Sequence, residues 1–213
     1  LTVAVSAQPT EQSDLTPVTT GQLRVAAPSA WWVLIAGVIG LVASMTLTVE
    51  KIEILLNPSY VPSCNINPIV SCGSVMTTSQ ASVLGFPNPL LGIIGFTVVT
   101  VTGLLATTKV PLPRWYWAGL DVGVLIGAVF VHWLIFQSLY RIGALCPYCM
   151  VVWVVTVTLL VVVTSIVFRA SLEGSNAAVR VLFQWRWSIA ALWFTGVFLL
   201  IMVRFWNYWS TLA

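Results

Sequence analysis

The chain has 213 residues, 59% of them hydrophobic and 7% charged, with a net charge of +3 at pH 7. A soluble domain carries roughly 25% charged residues, so a mean hydropathy of +0.98 excludes a water-covered globule and points to an integral membrane protein. The Lys and Arg residues are scattered, with no basic stripe to follow a phosphate backbone, so no nucleic-acid partner is expected.

Residues 1–30 are polar, rich in Thr, Ser, Pro and Gln, and read as a disordered cytoplasmic tail. The apolar run behind them is too long for a signal-peptide core and no cleavage-like site follows it, so it reads as a retained helix. Apolar segments at 31–50, 89–108, 115–140, 146–169 and 187–205 each approach or exceed the roughly 20 residues that cross a ~30 Å hydrocarbon core. Trp31, Trp32, Trp115, Trp117, Trp185, Trp187, Trp206 and Trp209 gather at their ends, as an interfacial belt does. With the N-terminus inside, Arg24, Lys109, Arg114, Arg169, Arg180 and Arg186 face the cytoplasm, against Lys51, Arg141 and Arg204 outside. Basic residues favour inner loops, so an N-in, C-out topology is expected.

Between the first two spans, residues 51–88 form a long outer segment in which charge is confined to Lys51 and Glu53. A loop of this length usually has a function. Its MTTSQASVLGF stretch predicts a short helix lying on the bundle, Asn67-Pro68 predicts a turn, and Pro89 suits the first position of the next helix. Glu50, Lys51 and Glu53 lie where the first span leaves the membrane and are read as interfacially solvated, with steering of a partner or pairing to the loop as the alternatives. Gly92, Gly95 and Gly103 in the second span, and Gly119, Gly123 and Gly127 in the third, are small residues of the kind that let membrane helices approach closely.

The four cysteines form two pairs, Cys64 with Cys72 and Cys146 with Cys149. The topology puts both pairs on one oxidising side, where disulfide chemistry persists. Cys146 and Cys149 are three residues apart at a helix start, on one face and within disulfide reach. A helix N-terminus lowers a cysteine pKa. Cys149 lies about 4–5 Å deeper, so the outer sulfur can meet another protein sulfur while the inner one meets a lipid-soluble carrier such as a quinone. The loop pair permits either a closed disulfide or an open dithiol able to exchange with the inner pair. Rival readings are a structural zinc site, which the spacing opposes, two inert disulfides, and a small transporter, which the lack of ionisable residues through most of the helices opposes.

Cys64-x7-Cys72, Cys146-x2-Cys149, the Thr77-Thr78 pair, Asn88 and the block CGSVMTTSQASVLGFPNPLLGIIGF together resemble the vitamin K epoxide reductase family, in particular bacterial members that oxidise secreted-protein thiols. The resemblance covers residues 31–169. It implies an all-α membrane fold: a four-helix bundle over 31–169, with outer loop 51–88, around a quinone pocket. Residues 170–213 then supply a cytoplasmic loop and a fifth transmembrane helix. It implies that Cys64 meets a protein partner, Cys72 exchanges with Cys146, and Cys149 faces the quinone, of menaquinone, vitamin K or ubiquinone type; an enzyme that recycles a quinone or quinone epoxide with the same residues is the alternative. Thr78 and Asn88 would hydrogen-bond a quinone oxygen. Trp153 takes the position, four after the inner cysteine, held by another aromatic in animal relatives. Many bacterial relatives carry a thioredoxin-like domain beyond the fifth span, so this chain is expected to use a separate extracytoplasmic thioredoxin-fold partner from the cell membrane.

Two other ionisable residues stand inside a span. His132 in the outer half of the third span is a candidate proton relay for the quinone, with a packing role as the alternative. Asp121, in the cytoplasmic half, is read as a capped or solvated acid.

Overall fold

The computed structural model describes residues 21–23, 25–169 and 177–210. Most of the expected tail, Arg24 among it, lies outside the described residues. Five helices are long and apolar enough to cross a membrane: α1 (Ala27–Leu56), α3 (Pro89–Thr107), α4 (Arg114–Phe136, extended by a π turn at Gln137–Ile142), α5 (Pro147–Phe168) and α7 (Arg186–Arg204). A two-residue strand β1 (Gln22–Leu23) precedes them, the short helix α2 (Cys72–Met76), a second short strand β2 (Leu112–Pro113) and α6 (Ala177–Gln184) lie between them, and α8 (Trp206–Trp209) follows. The chain is an all-α membrane protein, as its composition requires.

The helix limits follow local chemistry. Pro89 and Pro147 open α3 and α5, where a missing N–H costs nothing and φ is preset. Gly143, at φ +70, ends the π turn in the left-handed region, which a residue without Cβ enters without strain. Helix α1 runs 30 residues, about 45 Å at 1.5 Å per residue. It therefore overshoots a ~30 Å core and carries Glu50 and Lys51 out beneath the loop. It starts four residues before the apolar run at Trp31, and the short strand β1 precedes it, pairing antiparallel with β2.

Helix α1 packs along α3 and α5, and α5 along α4, whereas α3 and α4 are not in extensive contact. The α1–α3 contact depends on glycine: a Cβ on Gly37 would lie 2.8 Å from the Thr100 backbone nitrogen, and one on Gly103 2.5 Å from the Leu34 backbone. Gly92 also seats closely, against Ser44. The expectation of close approach fails for Gly95 in α3, where a Cβ meets nothing within 4 Å, and throughout α4. A Cβ on Gly119 or Gly123 meets nothing within 4 Å, and one on Gly127 makes only an ordinary contact with Thr156. These residues instead thin one wall of a gap between α3 and α4. Thr164 donates to Asp121 at 2.7 Å, so Asp121 ties α4 to α5. Helix α7 lies outside the four-helix core, against α5, and Arg204 at its end donates to the Leu139 carbonyl at 2.9 Å in the last turn beyond α4.

Candidate functional site

The outer loop is organised around its two cysteines. Asn67 accepts hydrogen bonds from the N–H groups of Ile69 and Val70, the turn that its Asn-Pro sequence predicts. Val70 then pairs with Leu145 in a short parallel bridge: Leu145 N–H donates to Ile69 at 2.7 Å and Ser71 N–H to Leu145 at 2.9 Å. Ser71 caps α2 by accepting from Ser74 N–H, which makes Cys72 its first residue. Leu145 directly precedes Cys146, so one bridge sets the two cysteine segments side by side.

Cys64 and Cys72 form a disulfide, and Cys146 and Cys149 are free thiols. Cys146 Sγ stands 3.2 Å from Cys72 Sγ, both fully buried. The two sulfurs are in contact without any movement of the loop. Cys146 occupies the N-cap of α5, where its sulfur accepts from Cys149 N–H at 3.4 Å. Hydrogen bonding from the Cys149 side chain, helped by the N–H groups of Cys149 and Tyr148, lowers the Cys146 pKa, against burial and the charge of Glu50. Leu47 and Met76 enclose the sulfurs. Cys64 is itself only 6% exposed.

Beyond Cys149, a cavity of about 600 Å³ runs down the gap between α3 and α4, with Cys149, Thr78, Asn88 and Trp153 in its wall. The surrounding surface is mainly Leu, Val, Phe and Gly, and both size and lining suit a largely apolar ligand with few polar contacts. Trp153 is 3% exposed and its Nε1 is buried without a hydrogen-bond partner among the described residues. Asn88 accepts from Val83 N–H at 3.0 Å and donates one amide hydrogen to Gln80 at 2.7 Å, which leaves its second amide hydrogen uncommitted. Thr78 spends its hydroxyl hydrogen on Val75 at 2.8 Å.

His132 is not in this wall. Its Nδ1 lies 2.7 Å from the Ala128 carbonyl, and its Nε2 accepts from Trp193 Nε1 at 2.8 Å. Both ring nitrogens are engaged, Nε2 as the acceptor of the Trp193 indole N–H. The expectation that His132 touches the cofactor pocket gives way to a packing role that ties α4 to α7.

The Val70–Leu145 bridge had no reading in the sequence; the open face at Gly119 and Gly123 departs from the close approach expected there, and Glu50 and Lys51 follow the alternative of pairing with the loop. Interfacial solvation is wrong for Glu50 and Lys51. Glu50 is 6% exposed and accepts from Ser63, and Lys51 Nζ donates to the Met76 carbonyl at 2.5 Å, capping α2. An acidic residue in the last turns of an apolar helix, facing a loop with two cysteines, was the available signal.

A comparison with curated proteins found no match. A model described as the vitamin K epoxide reductase family matches residues 31–164, the stretch that holds the four core helices, both cysteine pairs and the cavity wall. The chain belongs to the vitamin K epoxide reductase family.

Proposed function

We propose that this membrane oxidoreductase takes electrons from a separate extracytoplasmic thioredoxin-fold protein and passes them through Cys64 and Cys72, then Cys146 and Cys149, to a membrane quinone. Family membership supplies the coarse chemistry, quinone-linked thiol redox in a membrane. One observation carries the path: Cys146 Sγ lies 3.2 Å from Cys72 Sγ while Cys149 stands in the cavity wall.

The steps balance as thiol–disulfide exchange. A partner thiolate attacks Cys64, the Cys64–Cys72 bond breaks, and the electron pair leaves on Cys72. The second partner thiol then attacks the mixed disulfide, and the partner departs oxidised. Cys72 attacks Cys146 of the Cys146–Cys149 disulfide and releases Cys149. Cys64 attacks Cys72, which restores the loop disulfide and frees Cys146. The observed arrangement, with Cys64–Cys72 closed and two thiols behind it, is the product of that exchange. Return of Cys146 and Cys149 to a disulfide gives up two electrons and two protons, the chemistry a bound quinone supplies.

The unpartnered Trp153 Nε1 and the free amide hydrogen of Asn88 fit a carbonyl acceptor in the cavity. Thr78 would donate only by leaving Val75, so its role is the weaker one. The catalytic unit spans 31–169, loop 51–88 included, and the rest supports it from outside. The loop faces outward in an N-in, C-out cell-membrane topology, since Lys109, Arg114, Arg169, Arg180 and Arg186 share the opposite end and basic residues favour the cytoplasm.

The test is anaerobic. The protein is reduced in detergent, freed of reductant and mixed with a menaquinone analogue while quinone absorbance is followed. Wild type should reduce two equivalents, Cys64→Ser one and Cys149→Ser none. Folded wild type that reduces no quinone would sink the assignment in favour of structural disulfides.

A further inference from the structure

The relay asks Cys64 to meet a protein, yet Cys64 is 6% exposed. The loop must lift before a protein thiol can reach it, so what holds it down matters. On its C-terminal side, Asn65 Oδ1 accepts from Ser71 Oγ at 3.1 Å and from Gly73 N–H at 2.9 Å. These bonds tie the segment to α2, where Cys72 must stay. On its N-terminal side, the hydrogen bonds that bind residues 58–64 to α1 all run to one side chain, Glu50. Its Oε1 accepts from Ser63 Oγ at 2.5 Å and from Ser63 N–H at 3.3 Å, and Ser63 is the residue before Cys64.

Glu50 is an unusual anchor. It is 6% exposed; the Tyr60 hydroxyl also leans on its carboxylate, which raises the Tyr60 pKa, while Oε2 is buried and makes no hydrogen bond of ordinary geometry among the described residues. The neighbouring cation does not answer it, because Lys51 is spent on the Met76 carbonyl. Burying a carboxyl group with one oxygen unmatched costs free energy, and that cost opposes the two bonds to Ser63. The tie is therefore close to balance: firm enough to seat Cys64, weak enough to open.

We propose that Glu50 is a positioning residue that gates Cys64, holding the loop disulfide against Cys146 when tied to Ser63 and admitting a protein dithiol when released. The inference rests on the relay reading above. It divides the loop into a fixed half at Cys72 and a hinged half at Cys64, with Ser63 as the clasp.

The experiment uses the full chain with Cys146→Ser and Cys149→Ser, so that only the loop disulfide can be reduced. Its reduction by reduced thioredoxin, as a protein dithiol probe, is compared with reduction by dithiothreitol, and new thiols are trapped with a maleimide of high mass. Glu50→Ala should raise the thioredoxin rate about tenfold and leave the dithiothreitol rate nearly unchanged, because a small reagent does not need the loop to lift. Ser63→Ala, which keeps only the backbone bond, should move the ratio the same way by less. Glu50→Gln, whose amide oxygen still accepts both bonds, should restore the wild-type ratio. With all four cysteines present, Glu50→Ala should lower both KM for thioredoxin and kcat for quinone reduction, a split that general loosening of the fold does not produce. An unchanged ratio in Glu50→Ala and Ser63→Ala overturns the gate, and so does a Gln variant that behaves as Ala. If Glu50→Ala does not fold, Ser63→Ala alone decides. Quinone reduction by the four-cysteine wild type is scored separately, so failure of the relay is not mistaken for failure of the gate.

Discussion

Gly123 tests whether the gap between α3 and α4 is where a quinone works. A Cβ there meets nothing within 4 Å, and Gly123 lines the cavity of about 600 Å³. Gly123→Ala should raise stability by about 0.8–1 kcal/mol, the difference in helix propensity, visible as a rise of roughly 2–4 °C in Tm. Gly123→Leu keeps that gain and adds a branched side chain to the gap. A ligand that has to share the space then meets an overpacking cost of about 1–3 kcal/mol, which is about 5- to 150-fold in quinone KM. Gly37 is the control. Its added Cβ would lie 2.8 Å from Thr100 N, so Gly37→Ala must force α1 from α3 and lose about 1–3 kcal/mol. Tryptophan fluorescence during thermal unfolding reads the stabilities, and steady-state quinone reduction with an excess dithiol reads KM. A Gly123→Leu protein at least as stable as wild type, with wild-type KM, would refute the placement of the quinone in this gap.

Four other perturbations separate roles within the site. Trp153→Phe removes the unpartnered Nε1 and should raise quinone KM about two- to tenfold; unchanged kinetics would leave the indole a packing group. His132→Phe removes the bond from Trp193, worth about 0.6–1.7 kcal/mol in a membrane, and should lower Tm with quinone KM constant; a raised KM would return His132 to the site. Thr164→Val breaks the bond to Asp121, which should lower Tm by a similar amount and leave kcat alone, whereas a fall in kcat at constant Tm would give Asp121 a functional role. Hydrogen bonding from Cys149 lowers the Cys146 pKa, so its thiolate absorbance should persist below the ordinary thiol value of about 8.5, and Cys149→Ala should move that titration upward. The sign for stability follows: a thiol whose folded pKa is depressed stabilises the fold above its unfolded pKa, and that contribution is lost as pH falls through the folded one. A Cys146 titration unmoved in Cys149→Ala would reject Cys149 as the cause.

The spans were legible because length and apolarity alone decide what crosses a bilayer, and Pro89 and Pro147 marked two of their starts. The pairing of the cysteines with helix starts was legible for Cys146, since Pro147 follows it directly. What the spacing of glycines could not say is which helix, if any, each faces. Gly37 and Gly103 meet a partner backbone, while Gly119 and Gly123 meet open space, and the same small-residue pattern serves both. His132 misled for a similar reason. An ionisable group in a span reads as functional until its neighbours are known, and Trp193 lies 61 residues away. The Val70–Leu145 bridge joins segments 75 residues apart with two hydrogen bonds, too short a ladder to leave a strand pattern. Glu50 was read as solvated because it ends an apolar run, but the overshoot of α1 puts it under the loop.

The geometry also explains why two cysteine pairs are needed where one disulfide would suffice chemically. Cys149 stands in the wall of an apolar cavity, out of reach of a protein in water, and Cys64 lies under a loop above the bundle, out of reach of a carrier in lipid. No single disulfide within the 4.4–6.8 Å Cα separation that such bonds tolerate can serve both. On the proposed reading, the contact between Cys72 and Cys146, at 3.2 Å and fully buried, bridges that gap. Each exchange is near thermoneutral when the pairs have similar potentials, since about 30 mV corresponds to ~1.4 kcal/mol for two electrons. Directionality on the proposed reading must then come from the two ends, a partner that leaves oxidised and a quinone that leaves reduced. An inner pair held by fixed backbone contacts and an outer pair whose access is gated at Ser63 fit that division.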